Sequence, residues 1–154
     1  MTLSGKLEAD IEVNVPADYF HDVYSCRPHH VSTTSTEMIQ GVDLHDGEWG
    51  KVGTVICWNY TLDGSPKIAK EIIEIIDDVN LSTTCKVIGG DLLNDYNSFK
   101  FIVQATPKGN GSLVHWTLEY EKIHDNTPDP NTLMDLLVNC SKDIASHYAQ
   151  SHEN

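Results

Sequence analysis

Basic residues are scarce in this chain: ten lysines and arginines stand against 23 aspartates and glutamates, a formal net charge of −13 over 154 residues. Nucleic-acid binding depends on clustered cations that displace counterions from phosphates, so this balance argues against a nucleic-acid partner. It argues equally against docking on anionic membranes. Long apolar runs are missing too. None approaches the ~18–20 residues that span a bilayer, and Met1–Asp10 has no apolar stretch of a secretory signal. Membrane insertion and export are therefore not expected, and a cytoplasmic location is. Cysteines number four, Cys26, Cys57, Cys85 and Cys140, far apart and without a Cys-x-x-Cys pair. They read as buried thiols in a reducing compartment rather than as disulfides or metal ligands. There is no repeat, low-complexity tract or linker, so residues 1–154 read as one domain, large enough to bury a core.

What is present is a run of strand signals closed by one long helix. Lys6–Val15 alternates Leu7, Ala9, Ile11, Val13 and Val15 against Glu8, Asp10, Glu12 and Asn14, the period of a strand with one wet face. Pro16 suits the opening of a helix over Ala17–Cys26, with Phe20, Val23 and Tyr24 as its apolar stripe. Arg27–Ser35 reads as a polar loop holding one more helical turn. Strands follow at Met38–Leu44, Thr54–Leu62, Leu81–Ile88, Ser98–Thr106 and Ser112–Glu121. Asp63-Gly64 is a strong hairpin turn, and Pro107–Gly111 is a second one. At the C-terminus Leu133, Leu136, Leu137, Cys140, Ile144 and Tyr148 recur at three- and four-residue steps, with Asp129 placed to cap and Pro130 to open the helix.

Lys67–Val79 is ambiguous by pattern. Ile68, Ile72, Ile75 and Ile76 fit a helical stripe, whereas the closely grouped β-branched isoleucines fit a strand equally well. As a strand, Ile68, Ile72 and Ile76 would share one face and Glu71, Ile73 and Ile75 the other.

Two apparent motifs carry little. The loop His45–Gly53 holds three glycines but lacks the Gly-Lys-Ser/Thr ending of a phosphate loop, and Asp43, Asp46 and Glu48 would repel phosphate. It reads as a structural turn. His29-His30, with His21 and His45, shows no zinc-type spacing, so no metal site is expected.

Four segments carry a family resemblance: Gly41–Gly53 (GVDLHDGEWGKVG), Gly90–Tyr96 (GDLLNDY) with Phe99, Ala105–Ser112 (ATPKGNGS), and Glu119–Lys122 (EYEK) followed by Pro128 and Pro130. In this order, from Ser4 to about Tyr148, the chain resembles the plant major latex and ripening-related proteins of the Bet v I-type, START-like superfamily. The resemblance implies an α+β helix-grip fold: a seven-stranded curved antiparallel sheet around a long C-terminal helix, with two short helices after the first strand. It makes Lys67–Asp77 a strand.

The resemblance also implies a function. It is binding, storage or transport of a small hydrophobic plant molecule, of the steroid, cytokinin, flavonoid, fatty acid or alkaloid class, in an internal cavity and a defence or stress setting. Strand by strand it turns Ile56, Trp58, Tyr60, Phe99, Phe101 and Val103 inward, and Ile72 is placed with them. Val114, Trp116 and Leu118 join from their own alternation, and Val23, Tyr24, Leu137, Cys140 and Ile144 from the helices. His29 is expected at the pocket edge as a hydrogen-bond donor. A drug-sized ligand would need roughly 300 Å³. No cofactor is implied. Some relatives are isomerases or condensing enzymes working by acid–base chemistry, but the inward set offers only Tyr60, Tyr120 and either Glu71 or Lys70. No acid/base pair or nucleophile triad is visible, so a binding protein is the expectation.

Overall fold

The computed structural model describes residues 3–151. The alternating N-terminal run forms β1 (Ser4–Val13), and Val15 and Pro16 lead into α1 (Ala17–Cys26). Pro16 stands one residue ahead of the helix and its carbonyl accepts the Phe20 N–H at 3.1 Å. The polar stretch after α1 makes a 3-10 turn at Pro28–His30 and one further turn, α2 (Val31–Thr34). Six strands follow: β2 (Ile39–Asp46), β3 (Val55–Leu62), β4 (Ser65–Asp77), β5 (Ser82–Gly90), β6 (Tyr96–Lys108) and β7 (Gly111–Lys122). A 3-10 turn at Asp91–Asn94, not anticipated from the sequence, joins β5 to β6.

Among the described residues the seven strands form one antiparallel sheet in the order β1-β7-β6-β5-β4-β3-β2. The helix α3 (Asn131–Ser151) packs against β1, β7, β3 and α2. This is the expected helix-grip architecture.

The ambiguous segment is a strand, as the resemblance implies. Asp63 and Gly64 hold φ of 52° and 76°, and two positive values are the type I′ geometry that returns the chain antiparallel. Ile56 then pairs with Glu71 and Trp58 with Ala69.

The expected facing of β4 needs two corrections. Ile72, expected to point inward, lies on the outer face, while Ala69, Glu71 and Ile73 are buried. Beyond Ile73 the register shifts: Ile73 pairs with Cys85 and Ile75 with Thr84, so Glu74 is an extra residue, a β-bulge. The bulge reverses the alternation. Ile73 is 1% exposed and Ile75, expected on the same face, is 53% exposed, while Ile76 turns back against the core.

The glycine-rich loop between β2 and β3 is structural. Gly47, Gly50 and Gly53 all have positive φ. A Cβ on Gly47 would lie 2.8 Å from Thr54 Oγ1. That buried hydroxyl donates to the Glu48 carbonyl at 2.6 Å and accepts the Glu48 N–H at 3.2 Å, pinning the loop.

The end of the molecule at the start of α3 is fastened by side chains rather than by a helix cap. Asp129 does not cap; its carboxylate accepts the Tyr120 hydroxyl at 2.8 Å and pairs with Lys122 at 2.9 Å. Pro130 precedes the helix and accepts the Met134 N–H at 3.0 Å. The Tyr96 hydroxyl donates to the Pro128 carbonyl at 2.7 Å. These contacts tie Pro128 and Asp129 to β6 and β7.

Candidate functional site

Between α3 and the concave face of the sheet lies a cavity of about 70 Å³. Its floor comes from alternate residues of four adjacent strands: Ile56, Trp58 and Tyr60 of β3, Ala69 and Glu71 of β4, Thr83 and Cys85 of β5, Phe101 and Val103 of β6. Trp116 of β7 joins them, Tyr24 of α1 and Val31 of α2 close one side, and Leu133, Leu136, Leu137 and Cys140 of α3 form the roof. Period-two alternation aims the strand residues, and the three- and four-residue steps of α3 aim its leucines.

The volume is well below the expected 300 Å³. A polycyclic ligand therefore requires the walls to move. An outer cleft of about 310 Å³ adjoins the cavity, lined by Asp63, Lys67, Asp91, Asp95, Pro128 and Thr132 among others. Tyr60, Leu92 and Leu133 belong to the walls of both spaces, so these three side chains stand where cavity and cleft meet.

The apolar lining carries a few polar groups that the protein leaves unpaired. Trp58 Nε1 and Thr83 Oγ1 are buried without a hydrogen-bond partner. Glu71 is 8% exposed, and burial alone raises its carboxyl from an ordinary 4.5 to about 8, with no cation or hydrogen bond acting on it. At neutral pH it is mostly a neutral acid. The Tyr24 hydroxyl is pushed well up by burial, then by Cys140, Glu71 and Asp143; that of Tyr60 by burial, then by Asp91 and Glu71. Burial raises the Cys140 thiol to about 11 and lifts the Cys85 thiol as well. Trp116, by contrast, is satisfied: its indole N–H donates to Ser141 Oγ at 2.9 Å.

Of the residues expected at the site, Tyr24, Ile56, Trp58, Tyr60, Phe101, Val103, Trp116, Leu137 and Cys140 line the cavity. Val23, Phe99, Val114, Leu118 and Ile144 are inward but fill solid core outside the cavity wall. Phe99 packs among Tyr96, Phe101 and Tyr120 with ring centroids 5.0–5.9 Å apart, stacked on Tyr120 and edge-on to Tyr96. Ile72 faces outward. His29 is exposed and lies against Trp49, centroids 4.3 Å apart, away from the cavity. Tyr120 is tied to Asp129 and does not line the cavity. Of the four cysteines Cys140 is buried, the other three are partly buried, and all are free thiols.

Lining residues not expected from the sequence are Val31, Ile39, Ala69, Thr83, Cys85, Leu92, Leu133 and Leu136. Leu133 and Leu136 were already on the helical stripe and needed only the helix's rotation. Thr83 and Cys85 alternate within β5, a signal that was readable. Leu92 sits in the unanticipated 3-10 turn. Among the described residues no group of three histidine, cysteine or acidic side chains is placed to hold a metal ion, and no helix is long and apolar enough to cross a membrane.

A curved sheet gripping one long helix over a small cavity defines a class of protein, and comparison with known sequences and structures places the chain within it. Residues 2–151 match the Pathogenesis-related protein Bet v 1 family, and the chain belongs to that family. It is similar to MLP-like protein 31 of Arabidopsis thaliana, 49% identical over 148 residues that cover 95% of this chain and 86% of that protein. The chain spans about half the length of two further Arabidopsis relatives it matches. The crystal structure of ginseng major latex-like protein 151 from Panax ginseng superposes with a TM-score of 0.92 at 42% identity, covering 94% of this chain and 97% of that one. Norcoclaurine synthase from Thalictrum flavum shares the fold, with a TM-score of 0.74 at 17% identity over 99% of this chain and 90% of its own.

Proposed function

We propose that this chain binds a small hydrophobic plant molecule between α3 and the sheet and stores or carries it. The observation that supports this best is the wall itself. Aromatic and aliphatic side chains from β2, β3, β4, β6, β7 and the helices converge on an unfilled space that also adjoins a wider outer cleft. A solid core would have closed that space, since interiors pack to crystal-like density. Burying ~300 Å² of ligand against such a wall contributes roughly 7 kcal/mol before association costs, so an affinity no tighter than micromolar is expected. Admission of a ligand of that size involves displacement of Tyr60, Leu92 and Leu133. The family's description as pathogenesis-related supports a defence setting, and four free thiols are consistent with a cytoplasmic location.

Titration of sterols, flavonoids, cytokinins, fatty acids and alkaloids is the test, following emission of Trp58 and Trp116 in the wall. Saturable binding of at least one class at micromolar concentration is expected. No saturable change with any class would sink the reading. Native mass spectrometry of protein purified from its own tissue would then give the ligand by its mass.

A second reading, acid–base turnover in the same cavity, is favoured by Glu71. A buried carboxyl near 8 is a general acid at neutral pH. No second titratable group hydrogen-bonds to it, so binding ranks first. Turnover of a bound ligand that disappears in E71Q, with binding kept, would reverse the order.

A further inference from the structure

Two polar groups in the cavity wall, the Trp58 indole N–H and the Thr83 hydroxyl, are buried without a partner in the protein, and the Glu71 carboxyl lines the same cavity. Glu71 and Trp58 are near neighbours across β3 and β4, and Thr83 stands farther along the same wall. On the inner face Glu71 lies opposite Ile56, one inward step from Trp58, which lies opposite Ala69. On the other side Glu71 pairs with Val87, and Cys85 and Thr83 follow along the same face of β5. Tyr24 and Tyr60 line the same cavity and add two hydroxyl groups to its wall. Leaving a buried donor or acceptor unpaired costs ~1–3 kcal/mol each, so Trp58 and Thr83 are expensive unless something else satisfies them.

The chemistry of the cluster selects among ligands. Trp58 Nε1 can only donate, so the ligand must present an acceptor, which an ammonium does not have. Among the described residues no lysine or arginine lines the cavity. A carboxylate there would lose its hydration beside Glu71 with no cation in return. Thr83 and the two tyrosines can donate or accept, and so can Glu71 while it holds its proton. We infer that the cavity is specific for an uncharged apolar molecule bearing a hydroxyl group, with that oxygen seated on Glu71 and Trp58. This rests on the cavity reading above and narrows it: sterol- and flavonoid-like alcohols are favoured over fatty acids and cationic alkaloids.

The test uses four probes that share one ring system: 2-naphthylmethanol, 2-methylnaphthalene, 2-naphthoate and 2-naphthylmethylamine, titrated at pH 7 into the full chain by protein-detected NMR. The Trp58 indole proton, assigned by its loss in W58F, is the local readout. The alcohol is expected to bind about tenfold more tightly than the hydrocarbon, and more tightly than either ion, because it alone completes the buried hydrogen bonds. It should move the Trp58 indole proton downfield, which the hydrocarbon should not. E71Q keeps a neutral donor and acceptor and should retain the preference. E71L should lose it, with folding confirmed from its spectrum. Equal or tighter binding of 2-methylnaphthalene, 2-naphthoate or 2-naphthylmethylamine by the wild-type chain overturns the inference while leaving the cavity reading intact. Failure of all four probes to bind overturns both.

Discussion

The Trp116 indole N–H donates to the Ser141 hydroxyl across 2.9 Å, and Ser141 in turn donates to the Leu137 carbonyl at 2.8 Å. Trp116 is in the middle of β7 and Ser141 in the middle of α3, both almost fully buried. One polar contact therefore fixes how the long helix sits on the sheet, and with it the height of the cavity roof. S141A leaves the indole N–H unpaired and should lower unfolding stability by about 1–3 kcal/mol in urea titration. A double-mutant cycle with W116F should show a coupling of at least ~0.5 kcal/mol. Additive effects would mean that the contact does not position the helix.

The bulge in β4 predicts opposite fates for two isoleucines two residues apart. Ile73 is closed in the core and Ile75 is open to solvent. I73A should cost about 2–5 kcal/mol as a large-to-small core change. I75A should stay within ~0.5 kcal/mol. Comparable losses at both positions would contradict the register shift at Glu74.

Gly90 closes β5 with a φ of 101°, and a Cβ there would stand 2.1 Å from the Ile68 carbonyl oxygen. Backbone cannot yield as a flexible side chain can, so G90A should destabilise the fold by more than ~2 kcal/mol. Gly64 also has positive φ, 76°, but open space around it. G64A should cost only the conformational part, ~1–2 kcal/mol. Thermal melts of the two variants side by side separate the steric effect from the torsional one.

Glu71 makes stability depend on pH with a definite sign. Its folded value, about 8, lies above the ordinary 4.5, so the folded chain holds a proton that the unfolded chain releases. Its effect is absent below about pH 4.5, erodes stability as pH rises towards 8, and is constant above that. The groups facing it, Tyr24 from α1, Tyr60 from β3 and Cys85 from β5, are uncharged in this range and do not oppose the trend. E71Q should stabilise the protein by about 3 kcal/mol at pH 7 and by nothing measurable at pH 4. A gain independent of pH would point to packing instead.

Much of this architecture was legible in the chain because the determinants are local. The alternation of β1 and β7 shows directly which side is wet, and Val114, Trp116 and Leu118 are buried as that alternation requires. The Asp63-Gly64 pair supplies the positive φ angles of its hairpin from its own chemistry. The stripe of α3 survives without knowledge of any partner. The cavity was harder, since a wall residue and a core residue look alike in sequence: Phe99 and Phe101 are both aromatic and inward, yet only Phe101 borders the space. Whether two inward side chains meet or leave a gap depends on sheet curvature and on how high α3 rides, neither of which is encoded at one position.

By itself, then, the sequence determined the period of each element, the turns, and the helix that the sheet grips, all set by backbone torsion and by apolar spacing within a few residues. Tertiary structure decided which face of β4 turns inward. Four closely grouped isoleucines satisfy either register. A buried carboxyl at Glu71 argues against its own face, because polar residues ordinarily mark the wet side. The pairing of β4 with β3 and β5, and the extra residue at Glu74, settle the register through hydrogen bonds to strands that lie elsewhere in the chain. Only that pairing brings Glu71, Trp58 and Thr83 into one apolar space, where the absence of water, rather than the residues themselves, gives them their chemistry.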